Sequence, residues 1–127
     1  MVTALQLMKR DLAKVSHVAT AFDAARVMRE RQIGSVFVEQ NQRIVGIVTE
    51  TDIVRQVVGR GQMPGFIRVS DIMSSPVIGI EERRPITEAA DLMERHGTRH
   101  LAVLQAGSIV GVLSVRDLLH PVSVDEF

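Results

Sequence analysis

The chain has 127 residues, 46% of them hydrophobic, which suits one compact domain or two small lobes that share a core. Its 15 basic and 15 acidic side chains cancel, so no overall field attracts nucleic acid or an anionic membrane. The lack of cysteine excludes disulfides, thiolate metal sites and cysteine nucleophiles. The chain shows neither a secretory signal pattern at its start nor an apolar run long enough to span a membrane. We therefore expect a cytoplasmic protein that binds neither nucleic acid nor membrane.

The predicted elements follow one order, and that order occurs twice. Apolar residues at helical spacing predict a helix over residues 22–31, with Thr20 or Asp23 as N-cap. Two β-branched runs around a polar turn predict a hairpin, and Thr49 precedes a further short helix. The expected elements of the first copy are a leading strand at 14–15, the helix, strands at 35–38 and 44–48, and a helix over 52–57. Those of the second copy are a leading strand at 77–80, a helix over 87–95, strands at 100–104 and 109–113, and a helix over 115–119.

The two copies are related by a constant offset of 65 residues, which carries residue 46 onto residue 111. GIVTETD at 46–52 aligns with GVLSVRD at 111–117, and the same offset aligns Met8 with Met73 and Met28 with Met93. A register kept for this length without a gap indicates one structural unit present twice. We predict a first repeat over residues 1–60, a linker at 61–68 and a second repeat over residues 69–127.

A single copy would leave one face of its sheet bare, so we expect the two sheets to pack on each other. The predicted fold class is α+β, with two β-α-β-β-α repeats packed sheet to sheet about a pseudo-twofold axis. Such an arrangement provides clefts at the strand ends, where small ligands bind.

The motif Gly-apolar-apolar-Thr/Ser-x-x-Asp, present in both copies, resembles that of the CBS (cystathionine-β-synthase) domain. DIMSSPV at 71–77 is similar to the usual opening of such a repeat, and RHLAV at 99–103 to its second strand. The resemblance covers the whole chain. It implies a tandem pair, called a Bateman module, that binds an adenine nucleotide (AMP, ADP or ATP) or S-adenosylmethionine as a regulatory ligand. It also implies a homodimer formed through the helices at 24–31 and 87–95.

The first predicted ligand site rests on the chemistry of one motif and on the resemblance. A carboxylate such as that of Asp52 can accept hydrogen bonds from ribose hydroxyls, and the Thr49 hydroxyl can meet a hydroxyl or phosphate oxygen. By resemblance, this motif faces the second strand of the other repeat, which assigns the phosphates to basic residues there and the adenine to apolar walls. The predicted site consists of Ile47, Thr49, Asp52, Ile78, Arg99 and His100.

A second predicted site, around Ser114 and Asp117, is expected to be weaker or empty. By resemblance it faces Gly34 and Ser35, which carry no charge, although Arg55 and Arg116 could compensate in part. Its predicted members are Ala13, Ser35, Ser114 and Asp117.

Each of these residues also has a purely structural interpretation. The aspartates and hydroxyl residues of both motifs are good helix caps. Arg99 and His100 could be solvated residues at a strand edge, and His17 and His120 are expected on the surface. Met8, Met28, Met73 and Met93 fall on apolar faces and are predicted to be core residues.

No constellation in the sequence predicts catalysis. His96 and His100 are four residues apart, but no third ligand stands near them, so we expect no metal site. Neither a nucleophile elbow, nor a Walker lysine, nor a dinucleotide-binding glycine pattern is present. We predict a protein that is not an enzyme and that needs no catalytic cofactor. Because nearly all residues belong to the repeats, we expect it to regulate an unknown protein in trans; the alternative is a structural dimerisation protein without a bound nucleotide.

Overall fold

The computed structural model describes residues 1–119, which combine helices with two separate β-sheets. The predictions for His120 and for the end of the second repeat lie outside the described residues. Among the described residues, none of the helices has the length and apolar character needed to cross a membrane. The helices are α1 (Ala4–Leu7), α2 (Ala21–Arg31), α3 (Glu50–Asp52) and α4 (Ile86–His96), and the strands are β1 (Lys14–Ser16), β2 (Ser35–Gln40), β3 (Arg43–Thr49), β4 (Gly79–Glu81), β5 (His100–Gln105) and β6 (Ser108–Ser114).

Both sheets have three strands and the same topology. Their orders are β1-β2-β3 and β4-β5-β6, with the first pair parallel and the second pair antiparallel. The hairpin turns at Asn41-Gln42 and at Ala106-Gly107 adopt positive φ angles, which match the twist of short hairpins. The predicted hairpins and the leading strands of both copies are therefore confirmed, as is the α+β fold class.

The structure divides into two compact units whose boundaries differ from those of the sequence repeats. The first unit comprises residues 13–77, and the second comprises residues 1–12 together with the described residues from 78 onward. In the first unit, Val69 belongs to the buried cluster that holds Met28 and Val36. In the second unit, Ala4 and Met8 belong to the cluster that holds Met93, Leu101 and Leu113. Each sheet is therefore covered by the segment that, in the sequence, opens the other repeat.

The methionines predicted to be core residues are found there. Met8, Met28 and Met93 are buried, and Met73 is half-buried against the core of the first unit. A flexible thioether fills the irregular space between a helix or loop and a twisted sheet.

The segments that open the repeats are fixed to the sheets by backbone hydrogen bonds. In the first unit, Ile47 N–H donates to the Ser74 carbonyl at 3.1 Å, and Ser74 N–H donates to the Ile47 carbonyl at 2.9 Å. In the second unit, Lys9 and Val112 exchange the equivalent pair at 2.9 and 3.0 Å. Lys9 and Ser74 therefore occupy corresponding positions, each beside the third strand of a sheet.

The close approach of these segments requires glycine on the strand. A Cβ atom on Gly46 would lie 2.5 Å from Met73 Sδ and 3.0 Å from the Ser74 carbonyl oxygen. A Cβ atom on Gly111 would lie 2.5 Å from Met8 Sδ and 3.0 Å from the Lys9 carbonyl oxygen. The glycine of the repeated motif therefore makes room for the packed segment.

The two longer helices begin differently. Of the two predicted N-caps, Thr20 and Asp23, the structure has Thr20. Its Oγ1 accepts from Asp23 N–H at 3.1 Å, while Asp23 Oδ2 accepts from Thr20 N–H at 2.9 Å. This reciprocal pair is a capping box. Helix α4 begins after Pro85, which offers no side-chain cap. Both helices match the predicted spans to within one residue.

The helices that follow the third strands differ from the prediction. After α3 the chain forms a π-helix at Ile53–Val57 and a 3-10 turn at Val58–Arg60, instead of a regular helix over 52–57. The helix predicted over 115–119 is a 3-10 turn at Asp117–Leu119. The irregular segment ends at a close backbone contact: a Cβ atom on Gly59 would lie 2.8 Å from the Val54 carbonyl oxygen, so the glycine permits this path of the chain.

The α2 cap predicts a pH-dependent contribution to stability. Hydrogen bonds from the Thr20 backbone and side chain lower the pKa of Asp23 below its ordinary value of 3.8, and Arg26 acts in the same direction. A lowered pKa in the folded state stabilises the protein above the unfolded-state pKa, and this contribution disappears as the pH falls through the folded-state value. Asp23→Asn should therefore lower the free energy of unfolding at neutral pH, and the difference from wild type should shrink below pH 3.8.

Urea denaturation at neutral pH and at a pH below 3.8 measures the difference in the free energy of unfolding between wild type and Asp23→Asn. Thr20→Ala should lower the free energy of unfolding by about 1 kcal/mol, the usual contribution of an N-cap. Thr87→Ala, an exposed position in uncapped α4, is the matched control and should change it by less than about 0.5 kcal/mol. Equal effects of the two threonine substitutions would contradict this role for the cap.

The close approach at the glycines predicts a second stability effect. Gly46→Ala and Gly111→Ala should each lower the free energy of unfolding by about 1–3 kcal/mol, because the added methyl group must displace the methionine and the backbone carbonyl. Gly65→Ala is the control, since a Cβ atom at that position would meet none of the described residues within 4 Å. Thermal and urea unfolding compare the three variants, and a Gly46→Ala protein as stable as Gly65→Ala would contradict the packing described.

Candidate functional site

The first candidate site is the turn at the end of β3, from Thr49 to Asp52. The Asp52 Oδ2 atom accepts a hydrogen bond from Thr49 N–H at 2.9 Å, and Thr49 Oγ1 accepts from Asp52 N–H at 3.2 Å. The cap interpretation of both residues is therefore confirmed. The cap leaves three of the four acceptor positions of the Asp52 carboxylate available, because it uses only one of them. Within residues 1–119, Asp52 Oδ1 has no hydrogen-bond or ion-pair partner, and the residue is half-buried.

The corresponding turn in the second unit is more fully occupied. Asp117 Oδ2 accepts from Ser114 N–H at 2.8 Å and from the Ser114 hydroxyl at 3.0 Å. Asp117 Oδ1 lies 3.5 Å from Lys9 Nζ. The residue is 5% exposed, so it is buried, whereas 64% of the Lys9 side chain is exposed. Both oxygen atoms of Asp117 therefore have partners within their own unit.

The remaining predicted residues of the first site lie in both units. In the first unit, Ile47 is buried on β3, and its backbone is hydrogen-bonded to that of Ser74. In the second unit, the Ile78 carbonyl accepts from Ala102 N–H at 3.0 Å, and the Arg99 carbonyl accepts from Val115 N–H at 2.9 Å. The Arg99 side chain is exposed, as its solvated interpretation has it.

His100 is half-buried, and its backbone exchanges hydrogen bonds with the Thr98 hydroxyl at 3.1 and 3.3 Å. It begins β5 and lies opposite Ser114 in the sheet register. The predicted association of His100 and Arg99 with Asp52 joins residues of two units and stays a prediction.

The residues predicted for the second site are also placed by backbone contacts. Ala13 is buried, and its carbonyl accepts from Phe37 N–H at 2.9 Å. Ser35 is buried at the start of β2 and lies opposite Thr49 in the register, as His100 lies opposite Ser114. Each motif hydroxyl therefore has the first residue of the neighbouring strand beside it within its unit.

Lys9 is the residue that sequence reasoning missed. The offset of 65 residues pairs it with Ser74, so a comparison of the two copies exposes a lysine where the other copy has a short hydroxyl side chain. That comparison alone does not reveal that Lys9 lies beside the motif of the second copy. Only the structure shows that residues 1–12, which open the first copy in the sequence, pack with the sheet of the second copy. Among residues 1–119, no group of three or more His, Asp or Glu side chains could hold a metal ion.

Comparisons with known proteins agree on one family. The family model described as the CBS domain matches residues 3–59 and 69–123. An uncharacterized protein of Methanopyrus kandleri is 38% identical over 90% of this chain. The match covers 59% of that relative, and two further archaeal relatives are covered over 60% and 63% of their lengths. The chain therefore spans about three fifths of the curated relatives it matches first.

Solved structures show the same likeness. A protein with CBS domains from Burkholderia ambifaria has a TM-score of 0.93 and 33% identity, with 99% of this chain and 97% of that chain covered. A CBS domain protein of Pyrobaculum aerophilum, complexed with AMP, has a TM-score of 0.81 and 30% identity, with 92% and 90% covered. A hexameric CBS-CP12 protein from bloom-forming cyanobacteria has a TM-score of 0.89 and 30% identity, with 99% and 74% covered.

Proposed function

Because this chain belongs to the CBS domain family, we propose that it is a regulatory module that binds an adenine nucleotide or S-adenosylmethionine through the Thr49–Asp52 turn. The observation that carries the proposal is the state of the Asp52 carboxylate. Its Oδ2 atom is fixed by the cap at 2.9 Å, and its Oδ1 atom has no partner within residues 1–119. A carboxylate that is both oriented and available is what a ribose hydroxyl requires as an acceptor.

The Thr49 hydroxyl supports the same ligand class. Its oxygen accepts from Asp52 N–H at 3.2 Å, which leaves the hydroxyl proton free to turn toward a ligand oxygen. The AMP complex of the relative from Pyrobaculum aerophilum supports an adenosyl ligand for a chain of this fold. The family resemblance assigns Ile47, Ile78, Arg99 and His100 to the same ligand. We propose binding without turnover, and regulation of a separate protein in the cytoplasm.

Isothermal titration with AMP, ADP, ATP and S-adenosylmethionine tests the proposal. At least one of them should bind, and Asp52→Ala should weaken binding by about 1.5–3 kcal/mol, because it removes hydrogen bonds to a charged group. That is about a ten- to hundredfold loss of affinity. Asp52→Asn separates the cap from ligand binding. Its amide oxygen can still accept from Thr49 N–H, whereas its amide nitrogen cannot accept from a ribose hydroxyl, so this variant should also bind more weakly.

Asp91→Ala, on the exposed face of α4, is the matched control and should bind as wild type does. The absence of binding for all four ligands, or an unchanged affinity in both Asp52 variants, would contradict the proposed site.

A second candidate function, dimerisation through the repeat helices, is favoured by exposed apolar side chains. Phe22 on α2 is 53% exposed, and Val54 and Val58, in the irregular helix of the same unit, are exposed as well. Helix α2 contacts the irregular helix, and exposed apolar residues on neighbouring elements are typical of a surface that meets a partner. The two functions are compatible, since a ligand-binding module can also be a dimer.

Multi-angle light scattering measures the assembly directly. We expect a mass about twice the 14.0 kDa of one chain, and Phe22→Lys should shift the protein toward the monomer because it places a charge in the apolar contact. Val18→Lys, an exposed apolar position outside the helices, is the control and should leave the mass unchanged. A monomeric wild-type protein would remove this candidate function without affecting the ligand proposal.

A further inference from the structure

We propose that Lys9 blocks the Ser114–Asp117 turn, so that each chain binds one nucleotide instead of two. This inference rests on the proposed function of the Thr49–Asp52 turn. It assigns to Lys9 the role of a specificity-determining residue that acts by occupying an acceptor. All three residues belong to the second unit, so the interaction is formed within one compact body.

The acceptor capacity of the two aspartates differs. Asp117 Oδ2 receives two hydrogen bonds, from the Ser114 backbone and hydroxyl, whereas within residues 1–119 Asp52 Oδ2 receives only the one from the Thr49 backbone. A carboxylate oxygen has two acceptor positions, so Oδ2 of Asp117 is saturated. What remains for a ligand is Oδ1, and the Lys9 ammonium lies 3.5 Å from it.

The negative charge of the Asp117 carboxylate makes the lysine ammonium group a better partner for Oδ1 than a ribose hydroxyl. A hydroxyl is a neutral donor, while the ammonium group is a charged donor that also compensates the negative charge of a carboxylate only 6% exposed. A nucleotide could reach Asp117 only by displacing the ammonium group and leaving a buried carboxylate with a weaker partner. The corresponding turn in the second unit therefore has one oxygen saturated and the other already paired with a cation, whereas Asp52 Oδ1 has no partner within residues 1–119.

The backbone positions Lys9 for this role. Its two hydrogen bonds with Val112 match those of Ser74 with Ile47, so the side chains start from corresponding places beside the two turns. The four-carbon stem of lysine extends to the aspartate of its unit. Ser74 is exposed and has no hydrogen bond to Asp52. The difference between Lys9 and Ser74 is therefore what pairs the Asp117 carboxylate with a cation and leaves that of Asp52 without one among the described residues.

The experiment uses an Asp52→Ala background, in which the first site is weakened, and titrates whichever of the four ligands binds wild type most tightly. Asp52→Ala alone should show at least a tenfold loss of affinity. Adding Lys9→Met should restore binding at one nucleotide per chain, because the methionine keeps the apolar stem and removes the charge. Lys9→Arg keeps a cation beside Asp117 and is the matched control, which should restore nothing. In the wild-type background, Lys9→Met should raise the stoichiometry from one to two.

Each other outcome overturns the proposal. If wild type binds two nucleotides per chain, Lys9 does not block the second turn. If Lys9→Met leaves the stoichiometry at one while Asp52-dependent binding persists, the Lys9 inference fails and the proposed function stands. If neither wild type nor Lys9→Met binds any of the four ligands, both fail. Circular dichroism confirms that each variant is folded, and Lys9→Ala serves as a second neutral variant.

Discussion

Both candidate sites depend on one hydrogen bond, donated by the last backbone N–H of a strand to the carboxylate three residues later. This bond ends the strand, begins the helical turn and fixes the carboxylate in one orientation. It fixes Asp52 and Asp117 alike, yet it uses only one acceptor position of each. What distinguishes the two turns is what meets the remaining positions. In the first unit nothing among residues 1–119 meets them, and in the second unit the Ser114 hydroxyl and Lys9 meet two of the three.

The difference between the turns originates in the way the chain is shared between the two sheets. Residues 1–12 pack with the sheet of the second copy, and residues 69–77 with that of the first. Gly46 and Gly111 permit the approach, and a methionine fills the space against each of them. The exchange carries Lys9 to the turn that contains Asp117. A substitution in the opening segment of one repeat thereby alters the site formed by the other.

The sequence predicted much of this fold because the duplication allowed each element to be identified twice. The hairpins, the two longer helices and the buried methionines follow from local patterns, and the constant offset reinforced them. Asp52, Thr49, Ser114 and Asp117 were found because the motif is repeated. The π-helix after Asp52 was missed because the spacing of apolar residues over so short a segment does not distinguish a π-helix from an α-helix. Lys9 was missed because its role depends on a contact between segments far apart in the chain.

We propose that Asp52 is open to the ligand while Lys9 closes Asp117. Carboxyl carbon NMR of protein labelled at its aspartates measures both side chains in one titration. We predict that the Asp52 resonance moves with saturating nucleotide and follows the binding curve, while the Asp117 resonance stays in place. A shift of Asp117 with Asp52 unmoved, or two unmoved resonances in a sample shown to bind the nucleotide, would contradict the account.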